Sequence, residues 1–288
     1  MPSLKEVRNR IVSVGSTMQI TSAMKMVSAA KLKRAQDAVM QMRPYANKMK
    51  EILENVSGGS ENSYSRKSTG KNVLIVAISS NRGLAGGFNA NVVKRTWNLI
   101  REEYNGYNIS VLPIGKKATD AFKRSEHIIK SAHLPENFNE LYDGLTFAKT
   151  ATAAEKIMAV YTNKEFDKII LVYNQFKNAA VQIIQAEQYL PIAASGNAKA
   201  FTLDYIYEPN QEFIMNDLIP RSLKAQLYKA ILDSAASEHG ARMTAMHKAT
   251  DNAKEMLKNL KISYNKARQA SITNEILEIV GGAEALNN

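Results

Sequence analysis

Chemistry would be sought first in "SSNRGLAGGFN", residues 79–89, where Gly83, Gly86 and Gly87 follow an apolar run and precede a helix-forming one. Glycines at a strand-to-helix turn can bare backbone N–H groups to a phosphate at the helix start. A P-loop needs two glycines five positions apart followed by Lys and then Ser or Thr. Neither "STGKN" nor "PIGKKAT" supplies that pattern. A dinucleotide fingerprint needs G-x-G-x-x-G, and the spacing of 83, 86 and 87 departs from it. Asn89 is placed to cap the helix, but a tight crossover with closely packed backbone explains these glycines more simply. The histidines, His127, His133, His239 and His247, form no H-E-x-x-H or other metal-ligand spacing. No G-x-S-x-G nucleophile elbow occurs, and Glu102–Glu103 sits on a helix flank with nothing to position it. With no cysteine, disulfides, thiolate ligands and thiol nucleophiles are excluded. The residues alone present no catalytic centre, cofactor site or metal site.

Charge is more informative. The 288 residues carry a formal net charge of +11, which favours acidic partner surfaces, nucleic acid or anionic membranes. Residues 1–50 hold ten Lys or Arg against Glu6 and Asp37. Such concentration in about one sixth of the chain points to a partner rather than to a generally solvated surface. Apolar content of 45% is that of an ordinary globular protein, and no run reaches the roughly 18 apolar residues of a membrane span. "MPSLKEVRNR" has no apolar core resembling a secretory signal and none of the Arg- and Ser-rich character of a transit peptide.

The elements that carry these residues are set by periodicity. Leu4, Val7, Ile11, Val14 and Met18 recur at spacings of three and four, and Leu32, Ala35, Val39, Met42, Ala46, Met49, Leu53 and Val56 resume the same phase. Between them the seam positions are Thr21, Lys25 and Ser28, inside "ITSAMKMVSAAKLKRAQ", a stretch well suited to a helix but poorly suited to sealing one. A local shift of the seam to Ile20, Met24 and Val27 is the alternative. A period held this long predicts a coiled-coil helix about 80 Å in length. At the far end, Met243, Met246, Thr250, Ala253, Leu257, Leu260, Tyr264 and Ala267 form a second seam, continued after a slip by Ile272, Ile276, Ile279, Ala283 and Leu286. Pro220 fits the first turn of that helix, with Asn216 or Asp217 as its cap. Neither helix buries its seam alone, so the two ends are expected to pair antiparallel. A parallel homodimer is the competing geometry.

Between them, the Gly/Ser-rich "SGGSENSYSRKSTGK" reads as a linker. "NVLIVAIS", "NISVLPI", "KIILVY", "AVQIIQAEQY" and "AFTLDYIY" read as five strands. Helices are expected over 89–103, 116–123 and 137–161. The alternation implies a Rossmann-like α/β domain with a mixed sheet, parallel first and antiparallel at its end. The expected division is a helix over 1–57, a linker over 58–71, the α/β domain over 72–208 and a helix over 209–288.

Three stretches, "ITSAMKMVSAAKLKRAQ", "SSNRGLAGGFN" and "ATDNAKEMLKNLKISYNKARQASITNEILEIVGGAEAL", strongly resemble the gamma subunit family of F-type ATP synthases, and the similarity runs over essentially the whole chain. The resemblance implies a central rotor shaft that couples proton flow through the membrane sector to ATP synthesis or hydrolysis. The nucleotide sites would then lie on other chains. Implied partners are the α and β subunits of the catalytic hexamer, the ε subunit and the c-subunit ring, with no nucleic acid and with peripheral attachment to the cytoplasmic side of a bacterial inner membrane. By the same resemblance Met24, Lys31, Lys33, Arg34, Arg242 and Met246 face the acidic lever of β. Arg268, Gln269 and Thr273 would meet an inward loop of β, and "EILEIVGGAEAL" would be the tip held in an apolar sleeve. Two other readings follow from residues alone: a basic coiled-coil adaptor for nucleic acid or anionic membrane, and a small α/β enzyme binding a ligand at 79–89.

Overall fold

The computed structural model describes residues 3–56, 64, 70–142, 144–192, 208 and 210–286. It divides into two compact units, Met1–Ser28 with Met243–Asn288, and Ala29–Arg242. Helix α1 (Leu4–Val56) opens the chain and helix α5 (Gln211–Leu286) closes it.

The larger unit is built on a four-stranded sheet in the order β2-β1-β3-β4. Strand β1 (Asn72–Ile78) lies parallel to both β2 (Asn108–Ile114) and β3 (Lys168–Phe176), and β3 pairs antiparallel with β4 (Gln182–Leu190). The expected fifth strand, 200–207, lies outside the described residues, as does most of the expected linker.

Alternation along β1 explains why its sequence is continuously apolar. Val73, Ile75 and Ala77 pack under α2 (Phe88–Asn98) and α3 (Lys116–Phe122). Leu74, Val76 and Ile78 pack under α4 (Phe147–Thr162) and the Ile219–Ile231 stretch of α5. A strand covered on both faces has no solvent side to mark with polar residues. On the first face the sole tryptophan, Trp97, lies 5.4 Å from the Phe122 ring and carries the Arg101 guanidinium 5.1 Å from its own centroid. Helix α2 runs on through a π-helical turn, Leu99–Glu103.

Two helix starts differ from the sequence expectation. Helix α4 begins at Phe147 rather than near 137, because Gly144 turns the backbone at φ +79 and Thr146 caps the helix by accepting from the Lys149 amide. Only a 3-10 turn, Asn139–Tyr142, precedes it. Helix α5 begins at Gln211, so Pro220 lies inside it rather than in its first turn. Proline removes one backbone bond from a helix interior, but Ile219 (1% exposed) and Leu223 (2%) flank it and tie this stretch to the core.

In the same unit α1 and α5 run antiparallel. Arg43 meets Asp233, while Leu53, further along α1, joins Ile219, Leu223 and Leu227, which lie earlier on α5.

In the smaller unit the seam keeps its phase through the polar gap. Ile20 and Val27, which the shifted seam would bury, are 60% and 56% exposed, whereas Ser28 is buried and Thr21 half-buried. The gap is closed by a hydrogen bond: the Thr250 hydroxyl donates to Thr21 Oγ1 at 2.9 Å, with Met246, Thr250 and Ala253 buried along the α5 side. Removing one partner of such a bond is harmful, but replacing both by apolar groups of similar shape is nearly neutral. Thr250→Val should therefore cost about 1 kcal/mol in urea unfolding, and Thr21→Val/Thr250→Val should recover that loss.

Among the described residues, the α5 seam beyond Ser271 lies open. Ile272, Ile276, Leu277, Ile279 and Val280 are all exposed.

Candidate functional site

Open α/β sheets bind ligands beyond the carboxyl ends of their strands, where successive crossovers leave in opposite directions. Here that point lies between β1 and β3, since α2 and α3 cover one face and α4 the other. The turn after β1 is "SSNRGLAGGFN" and the turn after β3 is 177–181. The crevice between them is filled by the chain's own α5.

The filling is close. A Cβ on Gly240 would lie 3.2 Å from Ala179 Cα and 3.3 Å from Ala179 O, so glycine lets α5 approach the β3–β4 turn. Ser237 donates to the Asn174 carbonyl at 2.9 Å, and Asn174 Nδ2 donates to the Phe88 carbonyl at 3.1 Å. Arg242 spans the other side: Nη2 donates to the carbonyls of Arg82 (3.2 Å) and Gly83 (3.1 Å), and Nη1 donates to Glu238 at 2.6 Å. The guanidinium occupies the crevice that other sheets of this order leave open for a ligand.

Burial pushes the Glu238 carboxyl up, opposed by the charges of Arg242, Lys31 and Arg82. His239, partly buried beside Arg242 and Lys31, is pushed down to about 4. The fold therefore favours the neutral imidazole. Stability from this group is present above the ordinary histidine range and is lost as pH falls toward 4. Raised carboxyls at Glu238 and Asp233 act in the opposite direction, so the histidine is isolated by comparison. Relative to His239→Gln, the parent chain should lose stability between pH 7 and pH 4, read from urea midpoints across that range.

The residues named by resemblance fall in different environments. Lys31, Lys33 and Arg34 are exposed on α1, with Lys33 paired to Asp37 at 2.9 Å. Met24 is half-buried, and Met246 is buried in the seam. Arg268, Gln269 and Thr273 lie together on an exposed stretch of α5, where the Thr273 hydroxyl donates to the Gln269 carbonyl. Arg242 is 7% exposed and committed to its own chain. Sequence reasoning missed Glu238, which holds Arg242, and the pairing of Arg43 with Asp233. The Glu238–Arg242 spacing of four was a readable signal, but it is equally that of a solvated surface pair. Among the described residues no three His, Asp or Glu are grouped to hold a metal, and no helix is long and apolar enough to cross a membrane.

Comparison with known proteins decides what this arrangement belongs to. The ATP synthase family model matches residues 3–286. The ATP synthase gamma chain of Christiangramia forsetii is 56% identical over 291 residues, covering all of both chains, and that of Flavobacterium johnsoniae is 56% identical over 292 with the same coverage. The chain belongs to the ATP synthase gamma chain family. It is a subunit of ATP synthase. Solved relatives share the fold. A chain of the Tetrahymena thermophila mitochondrial ATP synthase central stalk/c-ring structure is 26% identical with a TM-score of 0.60, covering 80% of this chain and 99% of that one. A Euglena gracilis mitochondrial ATP synthase chain, 21% identical, reaches 0.74 over 98% and 94%.

Proposed function

We propose that this gamma-family chain passes torque to a catalytic α/β hexamer through two surfaces. One is the small and flexible stretch 20–36 with its exposed Lys31, Lys33 and Arg34. The other is the α5 stretch bearing Arg268, Gln269 and Thr273. The observation that carries the reading is the uncovered end of α5. Five large apolar residues from Ile272 to Val280 are 49–72% exposed, and a patch of that kind marks a surface meant for another chain.

The mechanism needs no chemistry from the shaft itself. Its surface differs from side to side, so at each orientation it stabilises a different conformation in each neighbouring catalytic subunit, and rotation shifts the populations in turn. Exposed Met26 and the small Ala23 and Ala30 permit close approach without fixing one packing. Lys31, Lys33 and Arg34 add attraction to an acidic lever on β, modest because exposed pairs are screened. The nucleotide sites belong to α and β, a reading supported by α5 filling the crevice of this chain's own sheet. The ε subunit and the c ring complete the rotor, placing the chain at the cytoplasmic face of a bacterial inner membrane.

Reconstitution tests this. Mixed with purified α and β subunits, the chain should give an assembly of one copy with six, and sustained ATP hydrolysis that is absent without it. Removing residues 268–288 should lower hydrolysis while leaving the chain folded. Failure to assemble, together with tight salt-sensitive binding to DNA or anionic vesicles, would replace the reading with a basic adaptor.

A further inference from the structure

Helix α5 is fastened to the sheet by directed bonds. Tyr189 Oη donates to the Leu223 carbonyl at 3.0 Å, Gln226 Nε2 to Glu187 Oε1 at 2.9 Å, and Ser237 Oγ to the Asn174 carbonyl at 2.9 Å. Helix α1 is held differently in the same unit. Its Leu32, Val39, Met49 and Leu53 are buried, and apolar burial is non-directional, so it does not fix how the helix is rolled about its own axis.

Arg43 supplies the direction. One terminal nitrogen, Nη2, donates to two acceptors at once: Asp233 Oδ1 of α5 at 2.7 Å and the Phe176 carbonyl at the end of β3 at 2.6 Å. The guanidinium is planar and its N–H groups stand at fixed angles, so meeting both acceptors leaves α1 one rotational setting. Stability does not call for this arrangement. A buried ion pair is often no better than apolar side chains of the same volume, and this one leaves Arg43 Nε and Asp233 Oδ2 without hydrogen-bond partners. What the pair adds over an apolar contact is an angle. Lys31, Lys33 and Arg34 stand exposed on the same helix about three turns before Arg43, so a roll at Arg43 turns them with it.

We infer that Arg43 is a positioning residue that sets the rotational phase of α1 against the sheet, and with it the direction in which the exposed 31–34 face points. It acts through the helix that carries it. The inference deepens the rotor reading and rests on it. Torque applied at the sheet reaches the surface of α1 at a defined angle only if the helix cannot roll in its seat.

The chain has no cysteine, so two introduced cysteines carry spin labels at those sites alone. Lys33→Cys on α1 is read against Glu126→Cys beside the sheet, the parent side chains being 74% and 90% exposed. In the free full chain, Arg43→Met/Asp233→Leu should stay close to the parent's urea midpoint while the label distance distribution widens about twofold, since apolar contact fixes no direction. The pair Arg221→Cys/Glu126→Cys, with its first label on α5, should not change. Arg43→Lys keeps the charge on a freely turning donor and should widen the first distribution by less. Assembled with α, β and the membrane sector, Arg43→Met/Asp233→Leu should hydrolyse ATP near the parent's rate but pump several-fold fewer protons per ATP. Unchanged width in that variant overturns the phase setting, and so does equal widening of the α5 pair. Parent-like pumping from a variant whose width has grown overturns the role in coupling. Should Arg43→Met/Asp233→Leu not fold, Arg43→Lys decides both points by the same readouts. Should the parent chain itself support no hydrolysis, the rotor reading falls, while the distance comparison still decides the phase.

Discussion

Arg43→Ala should destabilise the chain by about 3 kcal/mol at pH 7, toward the lower end of what breaking a buried ion pair costs. Arg43 Nη2 lies 2.7 Å from Asp233 Oδ1 and also donates to the Phe176 carbonyl at 2.6 Å, tying α1, α5 and the end of β3 together. The Asp233 side chain is fully buried, and its Oδ2 has no hydrogen-bond partner. Removing Arg43 would leave a buried carboxylate without its ion-pair partner, with Lys229 as the remaining cation acting on it. The Arg43 side chain is 34% exposed, which is why the lower end of the range applies.

Burial already pushes the Asp233 carboxyl up, with Arg43 opposing it. A carboxyl whose folded-state value is raised binds its proton more tightly in the folded chain, so its contribution to stability falls as pH rises through and above the ordinary Asp range. Without Arg43 the raise is larger. The deficit of Arg43→Ala should therefore shrink as pH is lowered from 7 to 5, and Arg43→Ala/Asp233→Asn should recover much of it at pH 7. Replacing both partners, as Arg43→Met/Asp233→Leu, should cost far less than either single alanine. Urea midpoints at the two pH values decide each point. A deficit in Arg43→Ala that does not change with pH would mean that the loss is one of packing.

Gly115→Ala should be at least as damaging, at about 4 kcal/mol. Gly115 sits at φ +100 between β2 and α3, where a side chain strains the backbone by roughly 1–3 kcal/mol. An added Cβ would lie 2.3 Å from the Ser79 carbonyl oxygen and 2.7 Å from its carbon, so strand-end backbone must move. Ser79 cannot retreat cheaply. Its amide donates to the Ile114 carbonyl at 2.7 Å, and its hydroxyl accepts from the Ala118 amide at 2.8 Å. Gly281 and Gly282 make the contrast. A Cβ at either meets nothing within 4 Å inside α5, so alanine there should stabilise by up to about 1 kcal/mol. Soluble yield and thermal midpoints of the three variants separate a glycine that the fold requires from two that weaken a helix.

The seam phase and the strands were legible because apolar spacing is repeated many times over α1, α5 and the sheet. Pro220 misled because a proline is an ordinary helix-start signal, and only the burial of Ile219 and Leu223 on either side shows why the helix continues through it. The start of α4 was missed for a related reason: Gly144 and Thr146 form the stop and the cap, but residues 137–142 also look helical and settle as one 3-10 turn. Arg242 was singled out by resemblance, yet its surroundings were invisible, since carbonyls at 82 and 83 leave no mark in the sequence. The basic 31–34 cluster and the isoleucines past 271 are conspicuous in composition, and the fold leaves Lys31, Lys33, Arg34, Ile272, Ile276 and Ile279 exposed.

The lone tryptophan has a spectroscopic consequence. Trp97, packed on Phe122 under the sheet, lies wholly within the Ala29–Arg242 unit. Its emission therefore tracks the melting of that unit and is blind to the paired helix ends, whereas far-ultraviolet dichroism sums both. Coincident transitions would show the two units unfolding as one cooperative block. A dichroism loss preceding the shift in emission would mean that the helix ends fray before the sheet opens.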